Sequence, residues 1–281
     1  MKKRLRSILS RTLRAEDVAH ISNSYDIIGD ISIIRISEKS MRNIHIIAEA
    51  IMGEHKNVKT VLAQRSPVRG EHRVRVLTFV AGEDRTTTIH KESECLFSVD
   101  IARCYFSPRL LYERMRIAEQ VGCGEVLVNM FAGVGCFSII AASRSKPRKV
   151  YSIDVNPTAY DFMRENVRRN RLVGKVVPMK GDAKVIVEKK LRHVADRVLM
   201  PLPKKALEYL PYALGALKND GGWIHYYDFV HAEKSENPVE KAELRVARRF
   251  EDLDANFSVS FGRVVRTTGP NWYQVVLDID V

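Results

Sequence analysis

From residue 120 onward, short apolar runs alternate with stretches of helical periodicity, the order that βαβ units produce. "EVLVNMFAG" reads as a buried strand running into a glycine turn, and "VGCFSIIAASRS" as a helix packed on the sheet. "KVYSIDV" is the second strand. The Asn-Pro pair of "NPTAYDFMRENVRRNRL" starts a helix in which Tyr160, Met163, Val167 and Asn170 recur at three-to-four spacing. "KVVPMKGD" predicts strand three, "ADRVLMPLP" strand four and its exit, "KKALEYLPYALGAL" a helix stopped by "KNDGG", and "GWIHYYDFV" strand five. The closing "SVSFGRVVRTTGPNWYQVVLDIDV" is two β runs around a Gly-Pro-Asn turn, the pattern of an antiparallel hairpin.

This pattern predicts an α/β domain over residues 101–281, with a Rossmann-like, mainly parallel sheet that ends in an antiparallel hairpin. Such a sheet binds ligands at the carboxyl ends of its first strands. Residues 25–100 read differently. "YDIIGDISIIRI" and "TTTIHKESECLFSVDI" look like strands and "MRNIHIIAEAIMGE" like a helix, which together suggest a small α+β domain suited to RNA. Residues 1–24 form a basic leading segment. It lacks the apolar run and small-residue cleavage site of a secretory signal, and no stretch approaches the length of a membrane span.

Charge narrows the partner. Across 281 residues Lys and Arg outnumber Asp and Glu by 46 to 34, a formal net charge of +12, so a polyanion is a natural ligand. Two stretches concentrate the excess. "SPVRGEHRVRVLTFVAGEDRTTTIHK" interleaves Arg69, Arg73, Arg75, Arg85 and Lys91 with Gly and Thr, and "MRENVRRNR" carries Arg164, Arg168, Arg169 and Arg171. The first is a charged loop or an RNA contact, and the second reads as a solvated helix face. Cys95, Cys104, Cys123 and Cys136 form no Cys-x-x-Cys pair and the histidines are scattered, so no metal site is expected and the thiols suit a reducing cytoplasm.

Three strand ends carry candidate chemistry. In "NMFAGVGCFS", Gly133 and Gly135 follow the first strand, where a missing side chain lets a ligand approach the backbone. Asp154, 19 residues after Gly135, can accept both hydroxyls of a ribose. A nicotinamide dinucleotide would use that acid equally well, but "AGVGCF" does not meet its G-x-G-x-x-G fingerprint. Asp182, after strand three, stands where an adenine amine needs an acceptor. Ahead of the first strand, Ser107 and Pro108 open a helix that spaces Arg109 and Glu113 one turn apart. Alone they are a solvated ion pair. Beside the ligand-binding edge, Glu113 can instead be aimed at whatever reacts there.

Together "FSPRLLYER", "NMFAGVGCFS", "IDVNPTA" and "ADRVLMPLP" resemble the archaeal and eukaryotic tRNA (guanine-37-N1)-methyltransferase family over about residues 60–281. The resemblance implies a class I methyltransferase fold, S-adenosyl-L-methionine as methyl donor and the guanosine 3′ of the anticodon as substrate, with a monomeric enzyme expected. It implies Glu113 as general base and Arg73 as the arginine on guanine O6. It also implies Tyr105, Arg109, Phe131, Ala132, Gly133, Gly135, Asp154, Asp182 and Pro201 as the donor site. The chemistry agrees, because guanine N1 is protonated at neutral pH and its negative charge spreads to O6 once a base removes that proton.

Three departures stand out. Members usually carry Asp where this chain has Asn129, which is expected to weaken the hold on the donor loop. They read Asn-Leu-Pro where this chain has Pro201-Leu202-Pro203, a change that resembles the archaeal branch also acting on the tricyclic wyosine precursor. The N-terminal domain that grips the tRNA outer corner in some members is expected to be absent or short. Two rival readings remain: the wyosine-pathway aminocarboxypropyl transferase, which uses the same donor and fold, and a non-catalytic RNA-binding protein.

Overall fold

The computed structural model describes residues 5–65, 70 and 74–281. Arg69 and Arg73 fall outside the described residues. The chain divides into two compact units, Met1–Leu111 and Tyr112–Val281.

The first unit contains α1 (Leu5–Leu9), α2 (Ala15–Ala19), β1 (Tyr25–Ile28), β2 (Ile31–Arg35), α3 (Ile44–Glu54), β3 (Thr60–Gln64), β4 (Leu77–Gly82), β5 (Thr87–Glu92) and β6 (Cys95–Asp100). Strands β1 to β4 form one sheet in chain order, while β5 and β6 form a separate hairpin. Strands β2 and β3 are parallel, which requires a crossover, and α3 supplies it. Its Ile47, Ala48 and Ile51 pack on Ile34, Val61, Ala63 and Val80. Leu5, Leu9, Val18 and Ile21 of the basic leading segment enter the same core. Strands β3 and β4 had no counterpart in the sequence reading. β3 is a short run with no alternation, and β4 lies inside the stretch read as an arginine-rich loop.

The second unit contains α4 (Leu111–Gln120), β7 (Val126–Asn129), α5 (Cys136–Arg144), β8 (Lys149–Asp154), α6 (Pro157–Arg169), β9 (Val176–Lys180), α7 (Ala183–Lys190), β10 (Arg197–Met200), α8 (Pro203–Ala216), β11 (Trp223–His231), α9 (Pro238–Asp252), β12 (Ser258–Gly269) and β13 (Trp272–Asp280). Its sheet runs β12-β13-β11-β10-β7-β8-β9. Strands β7 to β11 are parallel, and β13 and β12 are antiparallel. This is the expected α/β, class I architecture with its C-terminal hairpin. The strand order reverses at β7, which has β8 on one side and β10 on the other, and such a switch point opens a crevice at the carboxyl ends of the strands.

Side-chain alternation divides the two faces of the sheet. Ile224 and Tyr226 of β11 and Val275 and Leu277 of β13 join Leu210 of α8 and Val246 and Phe250 of α9 in the larger core. Tyr227 and Val276 face the other way and meet Ile117 of α4 and Phe137 of α5. The helix expected from Ser107 begins instead as a 3-10 turn, Pro108–Leu110, with Pro108 at its first position, and α4 follows from Leu111.

Candidate functional site

The parallel strands end together, and the sequence-derived candidates of the second unit sit on the turns that follow. After β7, Gly133 and Gly135 have φ of 58° and 95°. Gly135 caps α5 in the left-handed region, and a Cβ there would come within 3.1 Å of Ile139 and Met163. The glycine is therefore required by how α5 seats against α6, in addition to any approach of a ligand. Asp154, at the end of β8, accepts from Gly133 N at 2.6 Å and Asn156 N at 2.9 Å. It thereby fastens the glycine turn. Asp182 caps α7 through Lys184 N at 2.9 Å and accepts from Tyr209 Oη at 3.0 Å. Phe131 stands edge-on to Tyr209 at 5.2 Å between ring centres. Pro201 follows β10 directly, and Pro203 opens α8.

This edge fits a nucleoside-bearing donor. Asp154 and Asp182 are only partly buried, and a carboxylate oxygen can accept more than one hydrogen bond. Asn129, for which weakened loop contacts were expected, does hold the loop. Its Oδ1 accepts from Phe131 N at 3.3 Å and its Nδ2 donates to Ser138 Oγ at 3.0 Å.

Glu113 is not the solvated half of an ion pair with Arg109. Its carboxylate is buried, 1% exposed, and its helical partner is Arg116 at i+3. Arg116 reaches Oε2 through Nε at 3.2 Å and Nη2 at 3.1 Å, and Tyr227 Oη donates to the same oxygen at 3.0 Å. Arg263 of β12 makes an ion-pair contact with Oε1. Burial and then the carboxylate of Glu113 push the Tyr227 hydroxyl well above the usual tyrosine range, so it acts as a donor.

Behind Glu113 the charges continue. Arg116 forks onto Asp278, with Nη2 3.1 Å from Oδ1 and Nη1 in close contact with Oδ2. His225 Nδ1 lies 2.6 Å from Asp278 Oδ1, Arg197 Nη1 lies 2.7 Å from His225 Nε2, and Arg197 Nε donates to Glu125 at 2.8 Å. Burial works to raise Asp278, but its bonds from His225 and Arg116 hold it well below the usual carboxylate range. Arg116 is raised despite its burial, by Asp278 and Glu113.

Sheet register explains the cluster. His225, Asp278 and Phe261 lie in one cross-strand row, and Tyr227, Val276 and Arg263 lie two residues further along. A period of two puts both rows on one face. Arg116, Tyr227, Arg263 and Asp278 carry no reading in the sequence, and His225 figures there only among the scattered histidines. Of these only Arg116, one turn from Glu113, carries a local signal.

The remaining candidates belong to the first unit. Arg109 is exposed and pairs with Asp26 at 2.8 Å and Ser24 Oγ at 3.0 Å, and Tyr105 is half-buried. The described part of the arginine-rich stretch is largely committed internally. Arg85 is bidentate on Asp30 and also meets Glu83, Lys91 pairs with Glu94, and Arg75 donates to Phe106 O at 3.0 Å. Arg73 lies outside the described residues. Arg164, Arg168, Arg169 and Arg171 are exposed, as expected for that helix face. No described helix is long and apolar enough to cross a membrane.

Comparison with known proteins matches residues 88–253 to the TRM5/TYW2 methyltransferase domain and residues 5–86 to the TYW2 N-terminal domain. The chain is 40% identical over 261 residues to the tRNA (guanine(37)-N(1))-methyltransferase Trm5b of Pyrococcus abyssi, covering 93% of this chain and 76% of that protein. It is 38% identical over 268 residues to the tRNA 4-demethylwyosine(37)-methyltransferase Taw21 of Saccharolobus solfataricus, covering 95% of this chain and 97% of that one. Among solved structures, the complex of aTrm5 and tRNALeu superposes with a TM-score of 0.84 at 36% identity, over all of this chain and 79% of that one.

Proposed function

Because the chain belongs to the TRM5/TYW2 methyltransferase family, we propose that it is an S-adenosyl-L-methionine-dependent tRNA methyltransferase that acts on N1 of guanosine 37. The observation that carries this reading is the buried, fixed carboxylate of Glu113. Two guanidinium groups and a phenol fix its two oxygens in place, and a positioned carboxylate is the kind of group that takes a proton as general base. Both similar methyltransferases named above act at tRNA position 37.

When bound, the donor supplies an electrophilic methyl group whose bond to sulfur breaks, the pair remaining on sulfur, as the bond to the base forms. Every other task falls to the chain. Asp154 and Asp182 hold the ribose hydroxyls and the adenine amine, the glycine turn and Phe131 line the space between, and Glu113 takes the N1 proton. Arg73 attends O6 in this reading. The enzyme works in the cytoplasm as a monomer.

A second substrate is favoured by the Pro201-Leu202-Pro203 wall and by the Saccharolobus relative, which acts on 4-demethylwyosine. Two prolines remove backbone donors and stiffen this side of the site, leaving carbonyl and apolar surface suited to a flat tricyclic base. The test is mass spectrometry of nucleosides from a tRNA carrying guanosine at position 37 after treatment with enzyme and donor. One methyl on the guanine base supports the proposal. An aminocarboxypropyl group, or no change, refutes it.

A further inference from the structure

The ion pair between Glu113 and Arg263 has unused capacity on both sides. Glu113 Oε2 is filled by Arg116 and Tyr227, whereas among the described residues the buried Oε1 accepts no aligned hydrogen bond and meets only the guanidinium of Arg263. On Arg263 the buried Nε has no acceptor among the described residues. A buried acceptor and a buried donor that lack aligned hydrogen bonds, on two side chains in ion-pair contact, cost stability in the free protein. They also complement a ligand edge that offers one donor beside one acceptor. The Watson-Crick edge of guanine does so, with N1–H next to O6.

Arg263 is also the member of the cluster built to move. Its side chain is 29% exposed where that of Glu113 is 1% exposed. It lies on β12, the edge strand of the sheet, between register shifts at Val259/Phe261 and Val264/Arg266. Its guanidinium carbon sits 4.3 Å from the ring centre of Tyr112, itself 63% exposed, so the cation keeps a stacking partner when it leaves Oε1. Arg116, by contrast, is pinned by Asp278.

We propose that Arg263 is a substrate-contacting latch: it covers Oε1 of Glu113 until guanine 37 inserts between them, then donates to O6 while N1–H comes to Oε1. This rests on the proposed guanine N1 methylation. The charges then balance. The N1 proton moves to Oε1, Glu113 becomes neutral, and the guanidinium that lost its carboxylate faces the oxygen on which the negative charge collects. Among the described residues, the groups facing Glu113 are Arg116 from α4, Tyr227 from β11 and Arg263 from β12, with Asp278 of β13 behind Arg116.

The test is single-turnover methylation of a tRNA with guanosine 37 across pH, in the parent, Arg263→Gln and Arg263→Lys, with donor binding by calorimetry as a check on the fold. Loss of an adjacent cation makes a carboxylate easier to protonate, so Arg263→Gln is expected to move the acidic limb of the profile to higher pH. Loss of one of the two donors assigned to O6, Arg73 being the other, lowers its plateau roughly a hundredfold. Arg263→Lys returns the limb toward the parent. A limb unmoved in Arg263→Gln, a plateau not lowered, or no return with Lys overturns the latch. If Arg263→Gln loses donor binding, Tyr112→Leu at its exposed position loosens the guanidinium instead. The limb is then expected to move the same way by less, and no movement overturns the latch. Glu113→Gln separates the two claims. If it keeps the parent rate, guanine N1 methylation through Glu113 fails, whereas an inactive Glu113→Gln beside an unshifted Arg263→Gln removes only the latch.

Discussion

His225 and Asp278 face each other directly across β11 and β13, with Nδ1 2.6 Å from Oδ1. Arg197 can only donate to Nε2, so that nitrogen accepts and the proton sits on Nδ1, leaving the imidazole neutral. Burial holds His225 below its ordinary value, and Asp278 is held below its own. Both groups bind a proton more readily in the unfolded chain, so stability falls with pH. The fall is expected to begin below about pH 6.5 as unfolded histidine gains charge and to steepen below about pH 4. Urea unfolding at a series of pH values measures it, and His225→Gln should flatten the upper part.

Asp278 neutralises Arg116, which in turn holds Glu113 Oε2. Asp278→Asn leaves a buried guanidinium without that counter-charge and is expected to cost about 3–5 kcal/mol. Denaturant unfolding at neutral pH gives the number.

The parallel strands and the helix after "IDVNP" were legible because each carries its own local signal: an apolar run bounded by a turn, or Asn156 capping Thr158 N at 3.0 Å ahead of Pro157. Asn237 and Pro238 repeat that signal at the start of α9, which the sequence reading passed over. The strand-end residues Gly135, Asp154 and Asp182 were legible for the same reason, being tied to the ends of recognisable strands. What surrounds Glu113 was not. Tyr227 and Arg263 reach it, and Asp278 holds Arg116 behind it, from strands more than a hundred residues later, through a register that closes only when the hairpin pairs with β11.

Asn129 holds Phe131 N and Ser138 Oγ together under the glycine turn. Asn129→Asp should keep this arrangement, since the Ser138 hydroxyl can turn to donate, and donor affinity should stay within a few-fold. Asn129→Ala strands both partners in a fully buried place and should cost about 1–3 kcal/mol and weaken donor binding. Calorimetric titration of the two variants decides it.

The parent enzyme should methylate two tRNAs, one with guanosine and one with the tricyclic base at position 37. Pro201→Asn should keep the guanine reaction and lose more on the tricycle, because the amide narrows the site and adds a polar group without a partner there. Counting methyl groups on each tRNA checks this, and a parent that ignores the tricycle with donor in excess refutes it.

The most direct test of the whole account is the single-turnover rate of Glu113→Gln at saturating donor and tRNA. The amide keeps the shape of the side chain but cannot take the N1 proton, so the rate should fall on the order of a hundredfold or more while donor and tRNA affinities hold. A variant that methylates guanosine 37 at close to the parent rate at pH 7 would contradict it.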